Sequence, residues 1–264
     1  MALRPDYRFT TGAPGWGRPA TADAAAVDAG LRAYMLRVYN WMASGLLLTG
    51  IVAMLVVSVP SVTALFYQAV PTASGRMVMA PTILFWIAAL SPLAFMLVLM
   101  FGINRLSKSA VQALFWAFCV CMGASLSNLA FRYTGTSIAS TFFVTAGMYA
   151  AVSLYGYTTK ADLTRMGSFL LMGLIGIIIA GIVNIFMQSS ALQFAISVIG
   201  VIVFLGLTAY DTQRIKADYI EYAYAEGTDE AGKRSALDAL TLYLNFINLF
   251  QFLMQLMGVR QSNE

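Results

Sequence analysis

Apolar residues along this chain are grouped into seven long stretches that short polar connections separate. Each stretch has 17 to 23 residues. A helix needs about 20 residues to cross roughly 30 Å of hydrocarbon, where no backbone group can stay unpaired. The pattern therefore predicts an all-α membrane protein with seven transmembrane helices. The predicted spans are 41–59, 81–103, 111–131, 138–157, 167–187, 194–210 and 240–257.

Composition agrees with this fold class. Apolar residues make up 59% of the 264 residues, charged residues only 11%, and the mean hydropathy is +0.74, which leaves too little polar surface for a soluble globule. The first apolar stretch begins only near Trp41, so we expect no cleavable signal peptide and a first helix that stays as an anchor. We divide the chain into a disordered arm at 1–30, a transmembrane domain at 31–258 and a short tail at 259–264. Residues 31–40 are basic and aromatic, which is typical of an approach to the lipid headgroups.

The basic residues predict the orientation, because short loops rich in Lys and Arg stay in the cytoplasm. The N-terminal arm and the second, fourth and sixth loops together carry 13 of the 16 Lys and Arg residues. The opposite side carries three, Arg76, Arg132 and Arg260. The N terminus is therefore expected in the cytoplasm and the C terminus outside. The net charge of +4 is mostly this topology signal, so we expect no nucleic-acid partner.

One acidic residue stands out at the edge of a span. None of the 12 acids falls within the first five predicted spans, whereas Asp211 directly follows the seventeen residues of the sixth. An ionisable group at that depth is costly and usually has a partner or a function. Arg105 ends the second predicted span on the same side of the membrane, so the sequence predicts that it lies at the same depth.

The seventh predicted span has one polar side. Polar residues recur there every three or four positions and fall within an arc of roughly 140° at about 100° per residue. Such a stripe either hydrogen-bonds neighbouring helices or lines a hydrated path, and both interpretations stay open. Its members are Asp238, Thr241, Asn245, Asn248, Gln251 and Gln255.

The sequence gives little support for a catalytic site or a metal site. The two cysteines lie two residues apart in the third predicted span, and the chain has no histidine, so neither a disulfide nor the usual zinc site fits. An intramembrane aspartyl protease needs a second aspartate facing the first, and a retinal pigment needs a lysine within a helix; the sequence shows neither. We therefore expect no enzymatic activity and no cofactor.

Three segments carry a family resemblance. Residues 147–162 (GMYAAVSLYGYTTKAD), 208–213 (TAYDTQ) and 242–250 (LYLNFINLF) resemble the bacterial branch of the Bax inhibitor-1 family, and the resemblance extends over roughly residues 35–258. It implies a seven-helix fold with the last helix at the centre, surrounded by the other six. It also implies a membrane cation leak pathway, chiefly for calcium, or a modulator of stress responses or membrane proteases. The bacterial branch implies the cell inner membrane.

The family's site residues are matched one by one. Its gating aspartate matches Asp211, and its arginine at the end of the second helix matches Arg105, which would act as a latch on Asp211. The second gating aspartate is replaced by Asn245. An amide cannot share a proton with a carboxylate as two carboxylates do, so acid-sensitive gating is expected to be weakened or absent.

With the second aspartate replaced by Asn245, the resemblance still implies a cation site built from oxygen donors. Asp211 and Asn245, together with Asn248, are ligands that suit weak calcium binding. Polar residues of the last helix would also line the path, namely Thr241, Asn248, Gln251 and Gln255. The alternative function is a non-conducting membrane protein that binds or modulates a membrane protease or stress-response partner through the N-terminal arm and the sixth loop.

Overall fold

Long helices dominate the structure. The computed structural model describes residues 20–71, 77–102, 105–223 and 227–261. The long helices are α1 (Ala20–Ser58), α3 (Ile83–Gly102), α4 (Lys108–Leu126), α6 (Gly135–Thr158), α7 (Thr164–Met187), α8 (Ser190–Asp218) and α9 (Gly227–Met257). The short helices are α2 (Pro60–Phe66) and α5 (Leu129–Arg132), and a π-helical turn, Tyr219–Ala223, follows α8.

Six of the described helices are long and apolar enough to cross a membrane: α1, α4, α6, α7, α8 and α9, with α4 taken together with α5. The second predicted span corresponds to α3, whose apolar part, Ile83–Leu99, is shorter. A helical membrane protein is therefore confirmed, and the count of seven spans stays a prediction. Three helices, α1, α8 and α9, are longer than the spans predicted for them. Their extra turns lie mainly on the side where α8 connects to α9.

The last helix occupies the centre of the bundle. Of the six candidate spans, α9 has the largest buried share, and its main contacts are with α1, α4, α6 and α8. The other two long helices lie further out, since α3 packs mainly on α4 and α7 mainly on α8. The central position expected for the last helix is therefore observed, but the surrounding ring is not made of six equal neighbours.

The segment before the first span belongs to the bundle. Residues 1–19 of the predicted disordered arm lie outside the described residues, and residues 20–30 form the start of α1. One side of the next turns is buried, including Tyr34 and Val38, whereas Arg32 and Arg37 are exposed. Residues 31–40 therefore contribute to the core and not only to the headgroup region.

A β-hairpin connects α2 to α3. Its strands, β1 (Tyr67–Pro71) and β2 (Met77–Pro81), pair antiparallel; we call them the outer hairpin. We call the side of the bundle that carries it the hairpin end, and the side that carries the α8–α9 connection the loop end. Tyr67, the first residue of β1, is buried with Phe85 and Ala124 in a small core at the hairpin end.

Two glycines allow α8 to approach its neighbours closely. A Cβ on Gly156 of α6 would lie 2.4 Å from the backbone oxygen of Ala209. A Cβ on Gly167 of α7 would lie 2.4 Å from the ring of Tyr210. Both contacts fall just before Asp211, so the position of this carboxylate depends on small residues in the two flanking helices.

We expect Gly156→Ala to destabilise the bundle, because backbone of α8 cannot move aside as a flexible side chain can. The expected loss is about 1–3 kcal/mol of unfolding free energy, measured by denaturant titration in detergent micelles. Gly147 lies on the same helix with nothing within 4 Å of its Cβ position, so Gly147→Ala is the matched control. Equal stability of the two variants would contradict the close approach.

Candidate functional site

Asp211 is buried inside the bundle near the loop end. Its residue is only 5% exposed, although α8 continues for two more turns to Asp218. Asn245 of α9 donates its amide N–H to one carboxylate oxygen of Asp211 at 2.7 Å. The Nη2 atom of Arg214 lies 3.0 Å from the other oxygen. Both carboxylate oxygens are thus engaged, one by a neutral donor and one by a cation.

The cation paired with Asp211 differs from the predicted one. Arg105 is exposed, and among the described residues no ion pair joins it to Asp211, so the expected contact is wrong for this structure. Arg105 follows α3, which packs mainly on α4, whereas Arg214 lies one turn after Asp211 on the same helix. A partner at this spacing needs no long reach between helices.

Arg214 also faces solvent. Its side chain is 39% exposed, and its guanidinium lies over the Tyr210 ring, 5.8 Å from the ring centre. It lines an open groove of about 400 Å³ beside the loop between α6 and α7. Asp162 of this groove is held charged, because hydrogen bonds from the hydroxyl and the N–H of Thr164 lower the pKa of its carboxyl group. Arg214 therefore contacts the buried Asp211 carboxylate and also lines the open groove.

Two neighbours of Asp211 in the Asp-Thr-Gln run fix α8 to other elements. The hydroxyl of Thr212 donates to the carbonyl of Thr208 at 2.8 Å and lies 3.1 Å from the Ser153 hydroxyl of α6. Gln213 accepts from the Leu163 N–H at 2.9 Å and donates to the Ala161 carbonyl at 2.7 Å. The run therefore joins α8 to α9, to α6 and to the α6–α7 loop through consecutive residues.

Tyrosines of α1 close the loop end beside this site. Tyr34 donates to the carboxylate of Asp238 at 2.6 Å, and its ring centre lies 4.9 Å from that of Tyr219. A cavity of about 110 Å³ lies between these residues, Asp218 and Arg234. One turn further along α1, Tyr39 shares a short hydrogen bond with Ser153. The start of α1 therefore covers the part of the bundle that holds Asp211.

The polar stripe of α9 does not form one continuous lining. Thr241 donates to the carbonyl of Leu237 at 3.2 Å and Asn248 to that of Leu244 at 2.8 Å, so each is bonded within its own helix. Gln255, at the hairpin end, accepts from Ser197 at 2.9 Å and also from Gln193. Gln251 is partly buried. Packing thus accounts for several members of the stripe, and their role in lining a path stays a prediction.

A second polar row lies on α6 and was not anticipated. Its members are spaced four residues apart, are all buried and face the interior. The Thr145 hydroxyl donates to the Thr141 carbonyl at 2.7 Å, and that of Tyr149 to the Leu242 carbonyl of α9 at 3.0 Å. At 1.5 Å per residue the row runs for about 24 Å. We call it the hydroxyl row; it comprises Ser137, Thr141, Thr145, Tyr149 and Ser153.

The calcium ligands expected from the sequence are brought together only in part. Asp211 and Asn245 touch, whereas the Asn248 amide is directed to its own helix. Within the described residues there is no group of three or more acidic, Cys or His side chains that could hold a metal ion. A cation at Asp211 would therefore have to take the place of Arg214, and only one formal negative charge would face it.

Apolar helices around a partly polar central helix, with a buried carboxylate near one end, define an integral membrane protein with a charged site inside its bundle. The family model described as "Inhibitor of apoptosis-promoting Bax1" matches residues 31–262. The chain therefore belongs to the Bax inhibitor-1 family, as its three motifs predicted, and it is a multi-pass membrane protein.

Bacterial relatives cover nearly the whole chain. The "Inner membrane protein YbhL" of Escherichia coli K12 is 45% identical over 233 residues, which cover 88% of this chain and 94% of that protein. An "Uncharacterized protein" of Caulobacter vibrioides is 47% identical over 248 residues, or 92% of this chain and 96% of the relative. An uncharacterized protein of Rickettsia prowazekii is 48% identical over 236 residues, covering 89% and 93%.

A double-mutant cycle should reveal the coupling between Arg214 and Asp211. We expect Arg214→Gln to lower the unfolding free energy because it leaves a buried carboxylate without its cation. In an Asp211→Asn background the same change should cost less, with a coupling of about 1 kcal/mol for a half-exposed partner. Arg165, an exposed basic residue at the same end, provides the control: Arg165→Gln should be additive with Asp211→Asn. A coupling of zero at Arg214 would refute the ion pair.

Proposed function

We propose that the protein is a cation leak pathway, with calcium as the expected permeant ion, and that this structure is its closed form. The proposal rests on family membership and on one observation, the buried carboxylate of Asp211. A carboxylate this deep in an apolar bundle is costly to maintain. Its presence is accounted for if a cation passes it.

The proposed route crosses the bundle from the loop end to the hairpin end. A cation would enter from the groove beside Arg214, reach Asp211 and Asn245, and then follow the hydroxyl row of α6. Hydroxyl, amide and carboxylate oxygens are the ligands that calcium prefers. The 13 to 3 distribution of basic residues supports a loop end in the cytoplasm, and the E. coli relative supports an inner-membrane location.

Arg214 is the residue that we propose closes this route, in place of Arg105. Its guanidinium neutralises Asp211, and the same residue lines the groove. A cation that enters must compete with this arginine for a single negative charge. Weak competition of this kind fits a slow leak and does not fit tight calcium storage.

Flux through proteoliposomes tests the proposal. We expect Arg214→Gln to raise calcium entry, reported by a dye inside the vesicles, because the carboxylate is then free to accept a cation. A gain of about tenfold would correspond to about 1.4 kcal/mol, which is the scale of one partly exposed ion pair. Asp211→Ala should abolish the gain when combined with Arg214→Gln, because no charge remains to attract the ion.

Arg105→Gln is the matched control, since it removes an arginine from the same end without touching Asp211. We expect it to leave flux unchanged. Faster leak from Arg105→Gln than from Arg214→Gln would assign the latch to Arg105 after all. Parent and Arg214→Gln fluxes that both equal those of empty vesicles would reject the conduction proposal.

The replacement at Asn245 predicts a weak response to pH. Asn245→Asp would place two carboxylates in contact, and such a pair holds one proton between them. As pH rises this proton leaves, the like charges repel, the contact between α8 and α9 loosens and flux increases. The other charged or ionisable groups near this contact are Arg214, Tyr149 and Tyr39. Asp238, two turns earlier on α9, interacts with the same Arg214.

We therefore expect the flux of Asn245→Asp to rise about tenfold between about pH 5.5 and 8 and the parent's flux to change much less. Measurement in vesicles of equal internal and external pH removes any proton gradient. A parent protein that responds as steeply as Asn245→Asp would show that the single carboxylate suffices for acid sensitivity.

A non-conducting role is the second candidate. The segment after α8 carries Glu221, exposed Ile220 and the π-helical turn, a mixed surface suited to a membrane protease or stress-response partner. Part of the surface expected for this role is used internally, since Tyr219 packs on Tyr34. Absence of flux in every variant would favour this candidate over the leak pathway.

A further inference from the structure

The outer hairpin is apolar on both faces. Its two strands contain no charged residue, and Gln68 is the one amide among their ten residues. Met77 is 65% exposed, Met79 43%, Val78 40% and Val70 37%. Side chains on a strand alternate between faces, so the neighbours Met77, Val78 and Met79 expose apolar groups on opposite sides. Water is a poor surrounding for such a segment.

No third strand pairs with the hairpin within the described part of the chain. The sheet there consists of β1 and β2 alone, so each strand has an open edge. A lone two-stranded hairpin is at best marginally stable in water, and exposed apolar edges invite aggregation. Something outside the described residues must therefore accommodate it.

The base of the hairpin is fixed at the level where α3 begins. The Thr82 N–H donates to the Phe66 carbonyl at 2.9 Å and the Thr82 hydroxyl to the Leu65 carbonyl at 2.7 Å. The Tyr67 hydroxyl lies 2.8 Å from that of Ser127, which follows α4. The hairpin therefore has a defined position at the end of the helices.

The exposed apolar surface continues from the hairpin onto α3. Ile83, the first residue of α3, is 81% exposed, and Trp86 and Ile87 are more than half exposed. These side chains face outward from the bundle of a membrane protein, so we expect them to contact lipid. Because Thr82 alone separates Pro81 of β2 from Ile83, the hairpin meets the same lipid phase at its boundary.

We propose that the outer hairpin lies in the leaflet at the hairpin end, with Met77, Val78 and Met79 inserted among the upper acyl chains. The open backbone edges of the two strands limit how deep in the bilayer the hairpin can lie. Unpaired backbone N–H and C=O groups cannot enter the hydrocarbon centre, but they find water and headgroups at the interface, where amphipathic segments bury their apolar groups by about 5–10 Å. The partner is thus the bilayer surface and not a protein. This inference is independent of conduction.

Depth-dependent fluorescence quenching tests it with the full-length protein. Val78→Cys is made in a chain whose Cys119 and Cys121 are replaced by Ala, labelled with a nitrobenzoxadiazole dye and reconstituted at low density in phosphatidylcholine and phosphatidylglycerol vesicles. We expect a lipid spin label at acyl carbon 5 to quench more strongly than one at carbon 12. We expect aqueous iodide to quench about fivefold less than at the control position.

The control is Gln261→Cys, at the same end and exposed. Iodide quenching equal to that of the control would place the hairpin in water and overturn the proposal. Protection from both iodide and lipid spin labels that disappears on dilution into more lipid would assign the surface to a second copy of the chain, which also overturns it. Met79→Cys, one residue further along β2, repeats the measurement if Val78→Cys does not yield folded, monodisperse protein.

Discussion

A carboxylate buried among apolar helices has to be compensated, and the arrangement around Asp211 meets this requirement. Arg214 supplies the opposite charge from the next turn of the same helix, and Asn245 supplies a hydrogen bond from the central helix. The Asn245 contact forms only if α8 and α9 lie close together at this level, whereas the Arg214 pair forms within α8. Gly156 and Gly167 permit the approach of α8 to its other neighbours, because larger residues would meet its backbone or the Tyr210 ring. The site therefore depends on packing as much as on charge.

The loop end is held by polar contacts among α1, α6, α8, α9 and the α6–α7 loop. Gln213 binds backbone groups of the α6–α7 loop, Thr212 meets Ser153 of α6, and Tyr34 of α1 donates to Asp238 of α9. Each of these bonds joins two different elements, so they order this end of the bundle in addition to the apolar core. Arg214 is the exception, because it pairs within its own helix and faces the groove. It can move without breaking any of these contacts.

Much of this architecture was predictable from the sequence, and the exceptions have physical reasons. Apolar length located the helices, and the motif pairing Asp211 with Asn245 anticipated their contact. Arg105 is expected at the site from the family match and from its depth, whereas in the structure α3 packs mainly on α4 and Arg214 is the ion-pair partner of Asp211. The outer hairpin is not predicted because its two five-residue strands fall almost wholly in the connection between the first and second predicted spans. The hydroxyl row of α6 is a four-residue repeat of Ser, Thr and Tyr in the sequence. Because such residues are tolerated in membrane helices, the repeat alone does not predict a buried polar row.

The distribution of polar groups between α6 and α9 bears on what the bundle can do. The side chains of Thr241 and Asn248 donate hydrogen bonds to backbone carbonyls of their own helix, α9. Such a bond lets a polar side chain lie in a low-dielectric interior without a partner on another helix. Thr145 of α6 behaves in the same way. Groups bonded in this manner can exchange a local carbonyl for a passing ion or water without disrupting helix packing. Asp211 joins α8 to α9 through a buried charge. Under the proposed leak the barrier to a cation would lie at this residue, and release of Arg214 would be enough to lower it.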